Sequence, residues 1–157
     1  MRVSAVEPTI DPDALLPGAQ FVDAFSIAVD DATLDARRAA EKMMARGPRW
    51  IAALLNLRNR LVAPFGLKTP VATGTGVTDI IGIFPVISET PDRLVVGLDD
   101  RHLDFRVVVD VITEANGRRV TATTLVLTHN LLGRAYLAII LPFHRIIART
   151  MMRQVAN

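Results

Sequence analysis

Three histidines, His102, His129 and His144, and three serines, Ser4, Ser26 and Ser88, are the first side chains to test for chemistry in a chain of 157 residues without cysteine. The histidines do not follow a metal spacing such as H-E-x-x-H, and no serine lies in a G-x-S-x-G elbow. The lack of thiols removes disulfides, thiolate metal sites and Cys nucleophiles together. Gly74-Thr75-Gly76 is part of a dinucleotide fingerprint, but the third Gly is missing, no strand pattern precedes it and a strand pattern follows. Asp99-Asp100 falls where the chain must reverse, so its acids serve the turn. No catalytic residue, metal ligand or cofactor is assigned on these grounds.

Strand pairing brings one polar group together. Asn116-Gly117 has the composition of a two-residue type I′ hairpin, whose central residues take positive φ. With Ala115 facing Arg118, Val111 opposes Ala122, Val109 opposes Thr124, Val107 opposes Val126 and Phe105 opposes Thr128 on an apolar face. The other face holds Glu114 opposite Arg119, Asp110 opposite Thr123, Arg106 opposite Leu127 and Asp104 opposite His129. His102, Asp104, Arg106 and His129 thus share that face, where Asp104 could orient His129 as an acid-base pair. Water is expected there, so a surface charge network is the competing reading.

The elements that position these residues follow from periodicity. Pro8, Pro12, Pro17 and Gly18 mark residues 1–20 as an extended arm, and residues 21–157 are read as a single domain. Phe21 to Val29 alternates as a strand, with Phe21, Phe25, Ile27 and Val29 on one face. A helix capped by Asp31 or Thr33 follows, with Ala36, Ala39, Ala40 and Met43 on one side and Gly47-Pro48 as its stop. Trp50, Leu54, Leu57 and Leu61 give a second amphipathic helix. From Ile80 the period becomes two, with turns at Thr90-Pro91-Asp92, Asp100-Arg101 and Asn116-Gly117, which makes a four-stranded meander. A two-residue loop at Asp100-Arg101 places Leu94, Val96 and Leu98 opposite Val107, Phe105 and Leu103. Pro85 within Ile80 to Ile87 points to an edge or a bulge. Asn130 caps a last helix reaching about Arg153, with Leu132, Tyr136, Ile139, Phe143, Ile146, Ile147 and Thr150 as its apolar side and a kink at Pro142.

Composition narrows the functional classes. The sequence pI is near 9.7, yet the formal net charge is only +2, and no basic run or RNA-binding aromatic motif accompanies it. Nucleic acid is therefore not an expected partner. The first residues lack the apolar run of a signal peptide, so a cytoplasmic protein is expected. The apolar stretch Leu131 to Phe143 is too short to span a bilayer. A homodimer is compatible with the pattern.

The order of elements resembles the helix-grip fold of the START and polyketide-cyclase-like (SRPBCC) superfamily. Locally, LPGAQF at Leu16 to Phe21, SETPDRLVVGLDDRHLDFRV at Ser88 to Val107 and THNLLGRAYLAIILPFHRIIAR at Thr128 to Arg149 look like a bacterial family known only as a domain of unknown function. Similar domains follow dinucleotide-binding domains in longer bacterial proteins, and this chain is expected to be the free-standing version. The resemblance implies an α+β helix-grip fold, with a curved antiparallel sheet of about five or more strands around a long C-terminal helix and two short helices after the first strand. It also implies a cavity between sheet and terminal helix for apolar molecules. The candidate ligand-binding residues are Phe105, Val107, Val109, Thr124 and Val126 on the sheet, facing Tyr136, Ile139 and Phe143 on the helix. A small-molecule binding module is the first reading. A cyclase- or isomerase-like enzyme and a membrane-surface lipid carrier are the alternatives, the last suggested by Leu131 to Phe143 and the arginines that follow.

Overall fold

Alternating β-branched residues from Phe84 to Thr128 build most of an antiparallel sheet of seven strands. The computed structural model describes residues 1–45, 60, 79–82, 84–99 and 101–157. The strands are β1 (Ser4–Val6), β2 (Phe21–Val29), β3 (Ile80–Ile81), β4 (Phe84–Glu89), β5 (Arg93–Asp99), β6 (Leu103–Glu114) and β7 (Gly117–Thr128). The helices are α1 (Pro12–Leu15), α2 (Ala36–Ala45) and α3 (Leu131–Val155). Spatial order is β1-β2-β7-β6-β5-β4-β3. The sequence is α+β, and the meander and the long C-terminal helix lie where periodicity puts them. Apart from Arg60, which is helical, the predicted helix around Trp50 to Leu61 lies outside the described residues, as does the Gly74-Gly76 segment.

One sheet face carries the main core. Ile27, Leu94, Val96, Val109 and Val120 are buried against Ala36, Ala39 and Ala40 of α2 and Met152 and Val155 of α3. The three fully buried alanines let α2 approach closely, and each buried Val, Leu or Ile contributes roughly 1.5–3 kcal/mol. The cap of α2 is Asp35, whose carboxylate accepts from the Arg38 amide at 2.8 Å. Asp31 instead closes the preceding turn, accepting from the amide and hydroxyl of Thr33. This replaces the expected cap.

The opposite face departs from expectation. Residues 1–20 are not simply an extended arm. β1 pairs with β2, and α1 starts at Pro12 under an Asp11 cap. Ile10, Leu15, Leu16 and Ala19 then cover Val95, Val108 and Leu125, forming a second, smaller core on the face expected to be wet. Gln20 holds this arm to β7 by accepting from the Thr128 amide and hydroxyl.

The register differs from expectation by two residues at both inner turns. Glu114 faces Gly117, so Val111 faces Val120, Val109 faces Ala122, Val107 faces Thr124 and Phe105 faces Val126. The hairpin turns through Ala115 and Asn116, and only Gly117 has positive φ, at 138°. Between β5 and β6 the last pair is Asp99 and Asp104, so Leu98 faces Phe105, Val96 faces Val107 and Leu94 faces Val109. That connection is longer than two residues. Because side chains alternate with period two, an even slip keeps every residue on its face. The first meander strand is broken at Gly82, φ 62°, so that Ile80 and Ile81 fold back on Pro85 and Phe84. A bulge at Ile87 follows, and β4 thus carries its proline next to a two-residue edge.

Asn130 caps α3, accepting from the Gly133 amide at 3.0 Å. The helix continues through Pro142 to Val155 as one element. Its buried side is set about a quarter turn from the expected one. Ile139 is 68% exposed, Phe143 49% and Ile146 55%, while Leu137, Ile140, Ile147 and Met151 face the sheet.

Candidate functional site

The inward side of α3 does not close on the sheet along its whole length. Between the central part of the helix and the strands lies a partly open cavity of about 250 Å³. Phe105 and Val107 of β6, Thr124 and Val126 of β7, and Tyr136, Ile140 and Ile147 of α3 form its walls, with Met43 and Met44 of α2 and Phe84 of β4 at its sides. Phe84 and Phe105 meet edge to face, 5.2 Å between centroids, which stiffens that wall. By comparison with a cavity of about 150 Å³ that holds benzene, the space suits a molecule on the order of ten non-hydrogen atoms.

Of the sheet and helix residues named from sequence, Phe105, Val107, Thr124, Val126 and Tyr136 surround this cavity. Val109 is fully buried in the core against α2. Ile139 and Phe143 point to solvent, because the helix phase is the one that faces Ile140 and His144 inward. All three are corrections to the expected lining.

His144 is the polar group that sequence reasoning missed. It lies four residues after Ile140 and three before Ile147, on the same inward line of α3, and lines the cavity. Its Nε2 is 3.0 Å from Oδ1 of Asp23, with the two side chains only 17% and 22% exposed. The Phe21 ring packs edge-on against the imidazole at 5.6 Å. Asp23 belongs to the inward series Phe21, Asp23, Phe25, Ile27, Val29 of β2, opposite Thr124. An acid in an otherwise apolar series is costly to bury unless something hydrogen-bonds it, and His144 does so. The available signals were that interruption of β2 and the i, i+3, i+4 spacing of His144 with its apolar neighbours.

The imidazole that donates Nε2–H to a carboxylate presents the Nδ1 lone pair outward from the pair. Among the described residues, Nδ1 of His144 has no hydrogen-bond partner. Besides His144, Thr124 and Tyr136 are the only side chains among the described lining residues that carry oxygen or nitrogen. The site is an apolar chamber with one oriented imidazole.

The expected outer-face group is only partly assembled. His129 Nε2 lies 3.0 Å from Asp104 Oδ2, a contact made diagonally because Asp104 is opposite Leu127. Arg106 turns to Asp99 at 2.6 Å, and His102 Nδ1 meets the Asn130 amide nitrogen at 2.7 Å. His129 is exposed and none of these residues lines the cavity.

A family described as "Protein of unknown function (DUF2867)" matches residues 15–151. No curated protein matches the chain. Among solved structures, a protein from Rhodobacter sphaeroides is similar over 99% of this chain and 95% of its own, with 12% identity and a TM-score of 0.47. A likeness that distant carries no functional argument.

Proposed function

The chain belongs to the DUF2867 family, which brings no activity with it, and from its own cavity we propose that it is a binding module for a small apolar molecule. The observation that carries this reading is the space of about 250 Å³ between sheet and α3, walled by Phe105, Val107, Val126, Ile140 and Ile147. Such a chamber gives an apolar molecule somewhere to leave water, while a few polar groups fix its orientation. We read the sheet and α3 as a helix-grip arrangement of the START-like kind, in which the helix is the lid of the chamber. The test is a panel of apolar fluorescent dyes and fatty acids. At least one saturable, one-to-one binder is expected, and Val126→Trp, which sets an indole into the chamber, removes its binding while the protein stays folded. Failure of the whole panel to saturate would overturn the reading.

A second reading, a carrier that works at a membrane surface, is favoured by the outward side of α3. Leu131 is 78% exposed, and with Ile139, Phe143 and Ile146 it forms an apolar stripe on a helix that has four arginines and no acid. By length and composition α3 could cross a bilayer, but its inward side is committed to the chamber and the core, so it would lie along the interface. Sedimentation with phosphatidylglycerol vesicles but not with phosphatidylcholine ones is expected, and is lost in Phe143→Asp. Equal indifference to both vesicles would remove this reading.

A further inference from the structure

The pair His144 and Asp23 has no task in simple apolar binding. An apolar chamber gains nothing by replacing two inward carbon side chains with an imidazole and a carboxylate, and well-packed apolar residues of similar volume are often neutral or stabilising in place of such a pair. The pair also does not tie the helix to a distant element, since α3 is already fixed on β2 by the Phe25, Met152 and Val155 core. What the pair adds is a direction. Asp23 Oδ1 accepts from Nε2, the ring is held by the edge contact with Phe21, and the remaining nitrogen belongs to a side chain on the cavity wall.

Resting on the binding reading above, we propose that His144, positioned by Asp23, recognises a hydroxyl-bearing apolar ring compound by accepting its O–H at Nδ1. The tautomer decides the ligand class. In the neutral imidazole, with Nε2–H given to the carboxylate, Nδ1 offers a lone pair, so the matching group is a donor such as a phenolic or enolic hydroxyl and not an ether or a hydrocarbon. The same arrangement can take the proton itself. The O–H electron pair then stays on oxygen as phenolate or enolate, the proton bonds to Nδ1, and the imidazolium is held by the Asp23 carboxylate, as a carboxylate does for a general base. The cavity of about 250 Å³ has room for a compound of one or two rings, on the order of ten non-hydrogen atoms.

The experiment compares 2-naphthol with 2-methoxynaphthalene on the full chain by titration calorimetry. The two share a ring system and differ in the donor. The wild type is expected to bind 2-naphthol about tenfold more tightly, the size of one hydrogen bond that is lost with its donor. His144→Leu should bind both within about twofold of each other. Since Leu leaves Asp23 without its partner and can unfold the protein, the double variant Asp23→Leu/His144→Leu, which removes both polar groups, is measured beside it. The ¹⁵N resonance of His144 Nδ1 should move with 2-naphthol and stay with its methyl ether, a change that a purely structural imidazole would not show. Equal wild-type affinities, or a preference that survives in the double variant, would overturn the inference while leaving the chamber reading intact. Binding of neither compound would also overturn the inference, whereas the chamber reading falls only if the wider panel of dyes and fatty acids fails to saturate.

Discussion

Replacing Gly117 by alanine isolates the hairpin that fixes the register of β6 and β7. Gly117 sits at φ 138°, where side-chain-bearing residues are rarely found, and a Cβ built there meets the Val29 carbonyl oxygen well inside van der Waals contact and the Asp30 Cα at 3.0 Å. The backbone strain alone costs about 1–3 kcal/mol. Pushing the hairpin away from the end of β2 adds about 1–3 kcal/mol of the kind seen on overpacking. The sum is roughly 2–6 kcal/mol, and with a urea slope of about 1–3 kcal/mol per molar the unfolding midpoint should fall by about 0.7 M or more. Valine should behave at least as badly, because strain at this φ grows with β-branching. Asn116→Ala is the discriminating control, since Asn116 does not have positive φ and its loss should cost within about 0.5 kcal/mol. Circular dichroism through a urea titration reads all three. An unchanged midpoint for Gly117→Ala would refute the close, positive-φ hairpin, and a loss in Asn116→Ala equal to that in Gly117→Ala would refute the observed register in favour of a turn centred on Asn116-Gly117, where both residues need positive φ.

Two further outcomes are expected. Asn130→Ala removes the α3 cap and its contact to His102 and should lower stability by about 1 kcal/mol, read from the urea midpoint. Asp79 accepts both guanidinium nitrogens of Arg37, at 2.6 and 2.7 Å, which holds its carboxyl below the ordinary value of 3.8. A depressed folded-state value means that its stabilising contribution is complete above pH 3.8 and is lost as pH falls through the lower, folded value. Carbonyl ¹³C titration should show Asp79 protonating below 3.8 in the wild type and near it in Arg37→Gln.

The parts of the fold that were legible in the sequence were those where one period repeats against few alternatives. Leu94, Val96, Phe105, Val107, Val109 and Val126 share the α-helical side of the sheet as their alternation requires, even though the pairing at both turns differs by two residues from the register that the turn residues predict. An even slip is invisible to a face argument, so alternation alone does not fix the register. The arm could not be read as a core element, because Ile10, Leu15, Leu16 and Ala19 follow no helical or strand period between prolines. They pack by lying across Val95, Val108 and Leu125. In α3 apolar residues occur all round, from Leu131 and Ile139 on the outside to Leu137 and Ile140 on the inside, so periodicity alone does not choose the buried side. That misplaced phase put Ile139 and Phe143 into the expected site. It also kept His144 out. Asp23 was equally legible as the odd residue between Phe21 and Phe25, but its meaning depends on a partner 121 residues away.

A crystal structure of the protein grown with 2-naphthol tests the account most directly, because it reads the chamber, its occupant and the orienting imidazole together. Ring density is expected between Phe105, Val126 and Ile147, with the hydroxyl oxygen within hydrogen-bond distance of His144 Nδ1 and Asp23 still on Nε2. A space filled by the protein's own side chains, with no ligand at saturating concentration, would contradict it.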